Sequence, residues 1–358
     1  MASWAKEEIT LENGDKAVAQ IPVIVSASRS TDIPAFYADW FLYRLKEKGY
    51  SVWTNPFNGV RSYVSYANTR FIVFWSKDPR PLLTSGLLDY LEEKGIGCYV
   101  QYSLNDYEAE GLEKRVKPLA YRIETFHQLV ERLGKGRVIW RFDPLILTDA
   151  VDEERLLEKV QRVGDLLRGQ TEKLVFSFAD IEEYAKVKSN LKRNGVPYRI
   201  WEAGRMETFA ERLSRMNQER GWDYQLATCC EKIDIERYGI VHNRCIDGDL
   251  ITRIAWRDKA LMAFMKVEIH ELQPSLFDTP RIPADAIRLD DTHYFYSKHK
   301  KDAGQRSFCG CMMAKDIGEY NTCVHLCEYC YANTSKEAAR RNYEAHRLNK
   351  YAETITGR

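Results

Sequence analysis

The sequence has almost no net charge: 53 basic side chains against 52 acidic ones leave a formal +1. That excludes a strongly basic nucleic-acid coat and an acidic disordered chain, though not a local basic patch. It has no apolar run near the roughly 20 residues a membrane helix needs, so no membrane is expected. The first residues, Met1 to Glu8, carry early acids and lead into no apolar stretch, unlike a signal peptide. The expected location is the cytosol. Internal repeats and low-complexity segments are missing too. What remains is 358 residues, 44% hydrophobic and 29% charged, an ordinary composition for a globular chain with a sizeable core.

Cysteine is not scarce. Five of the nine fall within 309–330. In a reducing cytosol such a cluster reads as metal-binding or catalytic rather than as a disulfide framework, and the odd count argues against full pairing.

Short β-branched and aromatic runs alternate with amphipathic stretches. Strand-like runs lie at Val23–Val25, Phe71–Trp75, Cys98–Tyr102, Arg137–Trp140, Leu174–Phe178 and Tyr224–Ala227. Helical spacing is found at 34–48, 81–94, 115–133, 152–168, 180–194 and 206–220. Glycines follow these stretches, as at Gly49 and Gly95. Repeated strand–helix units imply an α/β protein with a parallel sheet. Their spacing fits a TIM-type or partial (β/α) barrel over 1–255, with a doubly wound open sheet as the alternative. Residues 256–308, with Pro274, Pro280 and Pro283, read as an irregular connection. Residues 309–358 form a cysteine segment and a helix completing the barrel, with a fraying end.

Several strand ends turn polar. Val25 leads into Ser26-Ala27-Ser28-Arg29-Ser30-Thr31-Asp32, Trp75 into Ser76-Lys77-Asp78-Pro79, and Trp140 into Arg141-Phe142-Asp143-Pro144. In a (β/α) barrel these ends form the active-site mouth. The plainer account is that Asp-Pro pairs turn the chain and that Arg141 and Asp143 form a local ion pair. His242, His293 and His299 read as structural. His325, inside the cysteine loop, faces either solvent or a cluster.

Cys323, Cys327 and Cys330 have the spacing C-x3-C-x2-C. Three thiolates on one loop suit three irons of a [4Fe–4S] cube, leaving the fourth iron open to a small molecule. The competing account is a zinc knuckle from Cys309, Cys311 and two of the later three, in a structural or nucleic-acid-binding module. Cys229 or Cys230, with Cys245, Cys309 and Cys311, make a candidate second iron–sulfur cluster or all-cysteine zinc site; Cys98 reads as a small buried hydrophobe.

The phrase Cys327-Glu328-Tyr329-Cys330-Tyr331-Ala332 resembles the radical S-adenosylmethionine (radical SAM) superfamily, most of all its spore-photoproduct-lyase branch. The resemblance implies an enzyme whose [4Fe–4S] cluster binds SAM and cleaves it reductively to a 5′-deoxyadenosyl radical that abstracts hydrogen from a substrate. It implies an electron donor such as flavodoxin or ferredoxin and, by analogy alone, a nucleotide or nucleic-acid substrate. Tyr329 would then lie near the adenine. Ser26 and Ser28 would stand where the superfamily carries a glycine-rich strand end for the SAM amino group, though no Gly-Gly-Glu stands there. Arg29 and Asp32 would face the methionyl part, and Gln101, Arg141 and Asp143 the ribose or carboxylate.

In that superfamily the motif follows the first strand, whereas here it lies near the C-terminus. A circular permutation reconciles the two: Ile317–Thr322 as first strand, 335–349 as first helix and Val23–Ser28 as second strand. The chain is identified on these phrases, and on Phe74–Pro79 and Trp140–Pro144, as similar to a bacterial family of domains of unknown function numbered eighteen forty-eight. That resemblance supplies no substrate.

Overall fold

A computed structural model describes residues 4–55, 58–272, 281–298, 301–306 and 308–357. Its centre is an eight-stranded sheet. In chain order the strands are β1 (Ile24–Ala27), β2 (Phe71–Ser76), β3 (Gly97–Ser103), β4 (Val138–Leu145), β5 (Lys173–Phe178), β6 (Gln225–Thr228), β7 (Val241–His242) and β8 (Lys315–Asp316). The spatial order is β7-β6-β5-β4-β3-β2-β1-β8. Every pairing is parallel, from Val25 opposite Ile72 to Lys315 opposite Val25. Neighbours in sequence are thus neighbours in space, with one exception: the C-terminal strand lies beside the N-terminal one.

Side chains alternate across the strands, and both faces are buried. One face presents Val25, Ile72, Phe74, Val100, Tyr102, Trp140, Phe142 and Phe176. Against it pack Phe41 from helix Ala38–Tyr43, Leu88 from Leu87–Glu93, Phe126 from Leu119–Leu133, Val160 from Glu153–Leu166 and Phe209 from Ala203–Glu219. Each fully buried leucine or aromatic contributes about 1.5–3 kcal/mol. The other face presents Ile24, Val73, Tyr99, Ile139, Val175 and Ala227, covered by Cys245, Ile246, Leu250, Leu261, Met262, Cys309 and Cys311. The connecting helices therefore all lie on one face. Helices Gly248–Ala255 and Lys259–Met265, which cover the other, come after the last long strand. A doubly wound sheet would carry crossover helices on both sides.

The α/β class and the parallel sheet agree with the sequence reading. The closed TIM-type ring is not formed: among the described residues no ladder joins β7 to β8, which are the edges. The terminal strand is Lys315–Asp316, two residues ahead of the expected Ile317–Thr322. Just beyond it Gly318 is pressed against Ser28, where a Cβ would stand 1.8 Å from the serine oxygen. The expected helix is Lys336–Leu348, capped by the Ser335 hydroxyl accepting from the Ala338 N–H at 3.1 Å.

Three features depart from the expected pattern. Lys6–Thr10, Lys16–Gln20, Tyr50–Thr54 and Arg61–Ser65 form a separate four-stranded sheet. Residues 256–308 hold the Lys259–Met265 helix and a small sheet of His270–Glu271, Ile287–Arg288 and His293–Phe295; Pro274, Pro280 and His299 lie outside the described residues. The tail does not fray: Trp40 Nε1 donates to the Ala352 carbonyl at 2.8 Å, the Val52 N–H to that of Glu353 at 2.8 Å, and Ile355 is buried. Among the described residues no helix is long and apolar enough to cross a membrane.

Candidate functional site

The loop after β8 carries Cys323, Cys327 and Cys330, and the fold grips it from several sides. Tyr37 donates to the Thr322 carbonyl at 2.7 Å, and the Asn333 amide to that of Cys323 at 2.8 Å. Asn190 donates to the carbonyls of Cys330 and Asn333 at 2.8 and 3.0 Å. The Glu328 N–H reaches the Leu112 carbonyl at 2.9 Å. Several backbone groups beside the cysteines are therefore fixed, which preorganises the thiols. All three are free; Cys327 is buried and the other two half-buried. Burial pushes each thiol upward in pKa. Opposing this, the His325 N–H points at the Cys323 sulfur, the Asn333 and Ala332 N–H groups at that of Cys330, and the Lys77 ammonium faces Cys327 and Cys330. The three sulfurs repel one another as thiolates across space, with no sulfur–sulfur hydrogen bond between them. Among the described residues, no three His, Cys, Asp or Glu side chains converge closely enough to hold a single metal ion.

Tyr329 is buried and anchors the loop to three strand ends. Its hydroxyl donates to Glu113 and accepts from Lys77 Nζ at 3.1 Å and Asn105 Nδ2 at 3.0 Å. Lys77 follows β2 and Asn105 follows β3; Asn105 also donates to the Asp143 carbonyl at the end of β4. Glu113 closes the cluster, 2.6 Å from Lys77 Nζ and 3.7 Å from Arg122 Nη1. The cysteine loop thus lies over the carboxyl ends of β2, β3 and β4.

Asp316 ties β8 to β1. It accepts from Ser26 Oγ at 2.6 Å, Ser28 Oγ at 2.8 Å, the Arg29 N–H at 3.0 Å and the Gly318 N–H at 2.9 Å. Asp32 is equally committed. It accepts from Ser76 Oγ at 2.6 Å, the N–H groups of Lys77 and Ala35 at 2.8 and 3.0 Å, and pairs with His325 Nε2 at 2.8 Å. Of the two places expected for His325, the structure excludes open solvent: it is buried between Asp32 and the Phe36 ring, 4.6 Å away.

The remaining thiols assemble elsewhere. Cys229 and Cys230 follow β6, Cys245 follows β7, and Cys309 and Cys311 precede β8. The Cys229 and Cys245 sulfurs are 3.5 Å apart. Cys245 also interacts with Cys311, Cys311 with Cys309, and Cys309 with Cys230. The zinc knuckle would have joined Cys309 and Cys311 to the loop thiols; the fold gives them these other partners. Arg141 donates to the Cys245 sulfur at 3.3 Å and to Gln101 at 3.2 Å, and pairs with Asp143, which accepts from Ser177. Gln101 donates to the Cys245 carbonyl at 3.1 Å. Cys98 stands apart, buried beneath the helices.

The sequence reading missed Asp316, Asn105, Glu113 and Glu231. Asn105 follows an apolar strand just as Lys77 does, and that signal would have found it. Glu113 and Glu231 lie in loops whose course no local pattern encodes.

The fold and this site define an α/β protein with a rigid three-cysteine loop set over the carboxyl ends of a parallel sheet. The chain belongs to the family described as Domain of unknown function (DUF1848), which matches residues 24–332. No curated protein and no solved structure matches it.

Proposed function

We propose that the protein is a radical SAM enzyme whose [4Fe–4S] cluster is held by Cys323, Cys327 and Cys330. The observation that carries this reading is the loop's position: it leaves a parallel strand at the sheet's edge and is anchored through Tyr329 to the next strand ends. Spatially β8 is the first strand and β1 the second, the arrangement a permuted partial (β/α) barrel requires, and the one-sided helix layer agrees with it. The donor set fits the cluster. The thiols are free and held on one short loop whose backbone is tied down, the C-x3-C-x2-C spacing that suits three irons of a cube. Bound there, the cluster and SAM would supply radical chemistry for hydrogen abstraction from a substrate.

The chain's own groups hold and shield. Lys77 sets positive charge beside Cys327 and Cys330 and offsets the thiolates. Buried Tyr329, Leu326 and His325 keep water from the loop's inner side. Ser26 and Ser28 serve the seam between β1 and β8, and Asp32 ties the end of β2 to His325 of the cysteine loop, so their effect on SAM would run through the placement of that loop. Arg141 is buried within β4, while Arg29 and Asp143 are half-buried. Nine free cysteines suit a reducing compartment, and a flavodoxin or ferredoxin is the electron donor this chemistry calls for.

Anaerobic purification should give a brown protein with iron and labile sulfide. SAM and dithionite should yield 5′-deoxyadenosine, and Ala at Cys323, Cys327 or Cys330 should abolish it. A colourless protein carrying zinc would overturn the reading.

A further inference from the structure

Five thiols outside the loop form a connected group, drawn from three chain segments: 229–230, 245 and 309–311. The circuit runs Cys230–Cys229–Cys245–Cys311–Cys309 and back to Cys230. Four further observations bear on what it holds.

First, N–H donors point at the sulfurs. Cys245 accepts from Arg141 Nη1 and from Asn243 Nδ2, both at 3.3 Å, and Cys311 from the Ile246 N–H at 3.4 Å. A neutral thiol is a weak acceptor, whereas a thiolate repays such donors. Second, the buried charge is unbalanced. Arg29 has no carboxylate at ion-pair distance among the described residues; its side chain donates to Gln305 Oε1 at 3.3 Å, and the anionic candidates that act on it most strongly are Cys311 and Cys245, then Asp316 and Cys309. A guanidinium taken out of water needs a counter-charge. Third, Cys230 has φ +61. Such strain in a non-glycine residue persists where the surroundings impose it, and here the turn carries two successive thiols into the group. Fourth, Asn243 Oδ1 is buried and unpartnered while its amide nitrogen is spent on sulfur.

We propose that Cys245, Cys309, Cys311 and one of Cys229 and Cys230 hold a second iron–sulfur cluster. Four thiolates close its coordination, with Arg29 and Arg141 balancing the charge. Zinc would take the same four thiolates, and labile sulfide separates the two. The two centres are joined through Arg29: its side chain interacts with Cys311, Cys245 and Cys309, and its carbonyl accepts from the hydroxyl of Tyr331, next to Cys330. This inference uses none of Cys323, Cys327 and Cys330, so it stands apart from the proposed function.

The test is a triple variant, Cys323→Ala, Cys327→Ala and Cys330→Ala, prepared without oxygen and supplied with ferrous iron and sulfide. It should keep roughly half the wild-type iron and labile sulfide. Adding Cys245→Ser and Cys311→Ser should remove the rest. Far-UV circular dichroism confirms that each variant is folded. A folded triple variant free of iron overturns the second cluster. So does one carrying zinc without labile sulfide, and so does full iron retention after the two serine changes. The proposed function fails on a different result: wild-type protein that holds iron yet yields no 5′-deoxyadenosine.

Discussion

The hydroxyl of Ser28 donates to Asp316 Oδ1 at 2.8 Å, joining residues 288 positions apart. This contact, with three others to the same carboxylate, fastens the C-terminal strand to the N-terminal one. Asp316→Ala would leave the donors of Ser26, Ser28, Arg29 and Gly318 without their shared acceptor. Each hydrogen bond to a charged group is worth about 1.5–3 kcal/mol, less what water recovers. The expected loss is about 3 kcal/mol, read as a lower urea midpoint. Unfolding at the wild-type midpoint would remove Asp316 as the clasp.

Glu113 governs acid stability. Burial alone would raise its pKa; Lys77 foremost, then Arg122 and the Tyr329 hydroxyl, hold it at about 2 against an ordinary 4.5. A carboxyl depressed in the folded state stabilises the fold above its unfolded pKa and loses that contribution as the pH falls through the folded value. Stability should therefore drop between pH 4.5 and about 2, by about 3 kcal/mol from this group. Lys77→Ala should shrink this acid limb and cost about 3–5 kcal/mol at neutral pH, because it strands a buried charge. Urea unfolding at stepped pH reads both effects. An unchanged neutral midpoint in the variant would discard the cluster as a brace.

Glu231 works in the opposite sense. It is buried, with one oxygen accepting from the Phe178 N–H at 2.8 Å. Burial, with Asp180, Asp143 and Glu183 nearby, pushes its pKa up to about 8, against the pull of that hydrogen bond. The unfolded chain ionises first, so this group lowers stability as the pH rises from 4.5 to about 8. Glu231→Gln keeps the acceptor and removes the titration. Its thermal midpoint should gain on the wild type across that window and then run parallel. Parallel curves throughout would show that Glu231 ionises normally in the folded protein.

The strands were legible wherever burial on both faces made an apolar run, as at Phe71–Ser76 and Gly97–Ser103. The two-residue strands β7 and β8 were not, because two residues carry no period. The N-terminal sheet was missed for a different reason. Lys6–Thr10 and Lys16–Gln20 alternate weakly between exposed and half-buried positions and hold few apolar side chains. At the site, cysteine spacing picked out the three loop thiols outright. It did not reveal that Asp32 spends its carboxylate on His325, or that Tyr329 meets Glu113, because those partners are brought together by loops of unrelated sequence.

The sequence alone determined the α/β class, since hydrophobic periodicity is a local property of the chain. It likewise determined the three-thiol motif, which depends only on spacing along one loop. Tertiary structure decided the rest. It chose an open sheet over a closed ring and set the last strand beside the first. It divided eight of the nine cysteines into a group of three and a group of five. Those outcomes depend on contacts between segments hundreds of residues apart, and such contacts follow from how the whole core packs rather than from any local pattern.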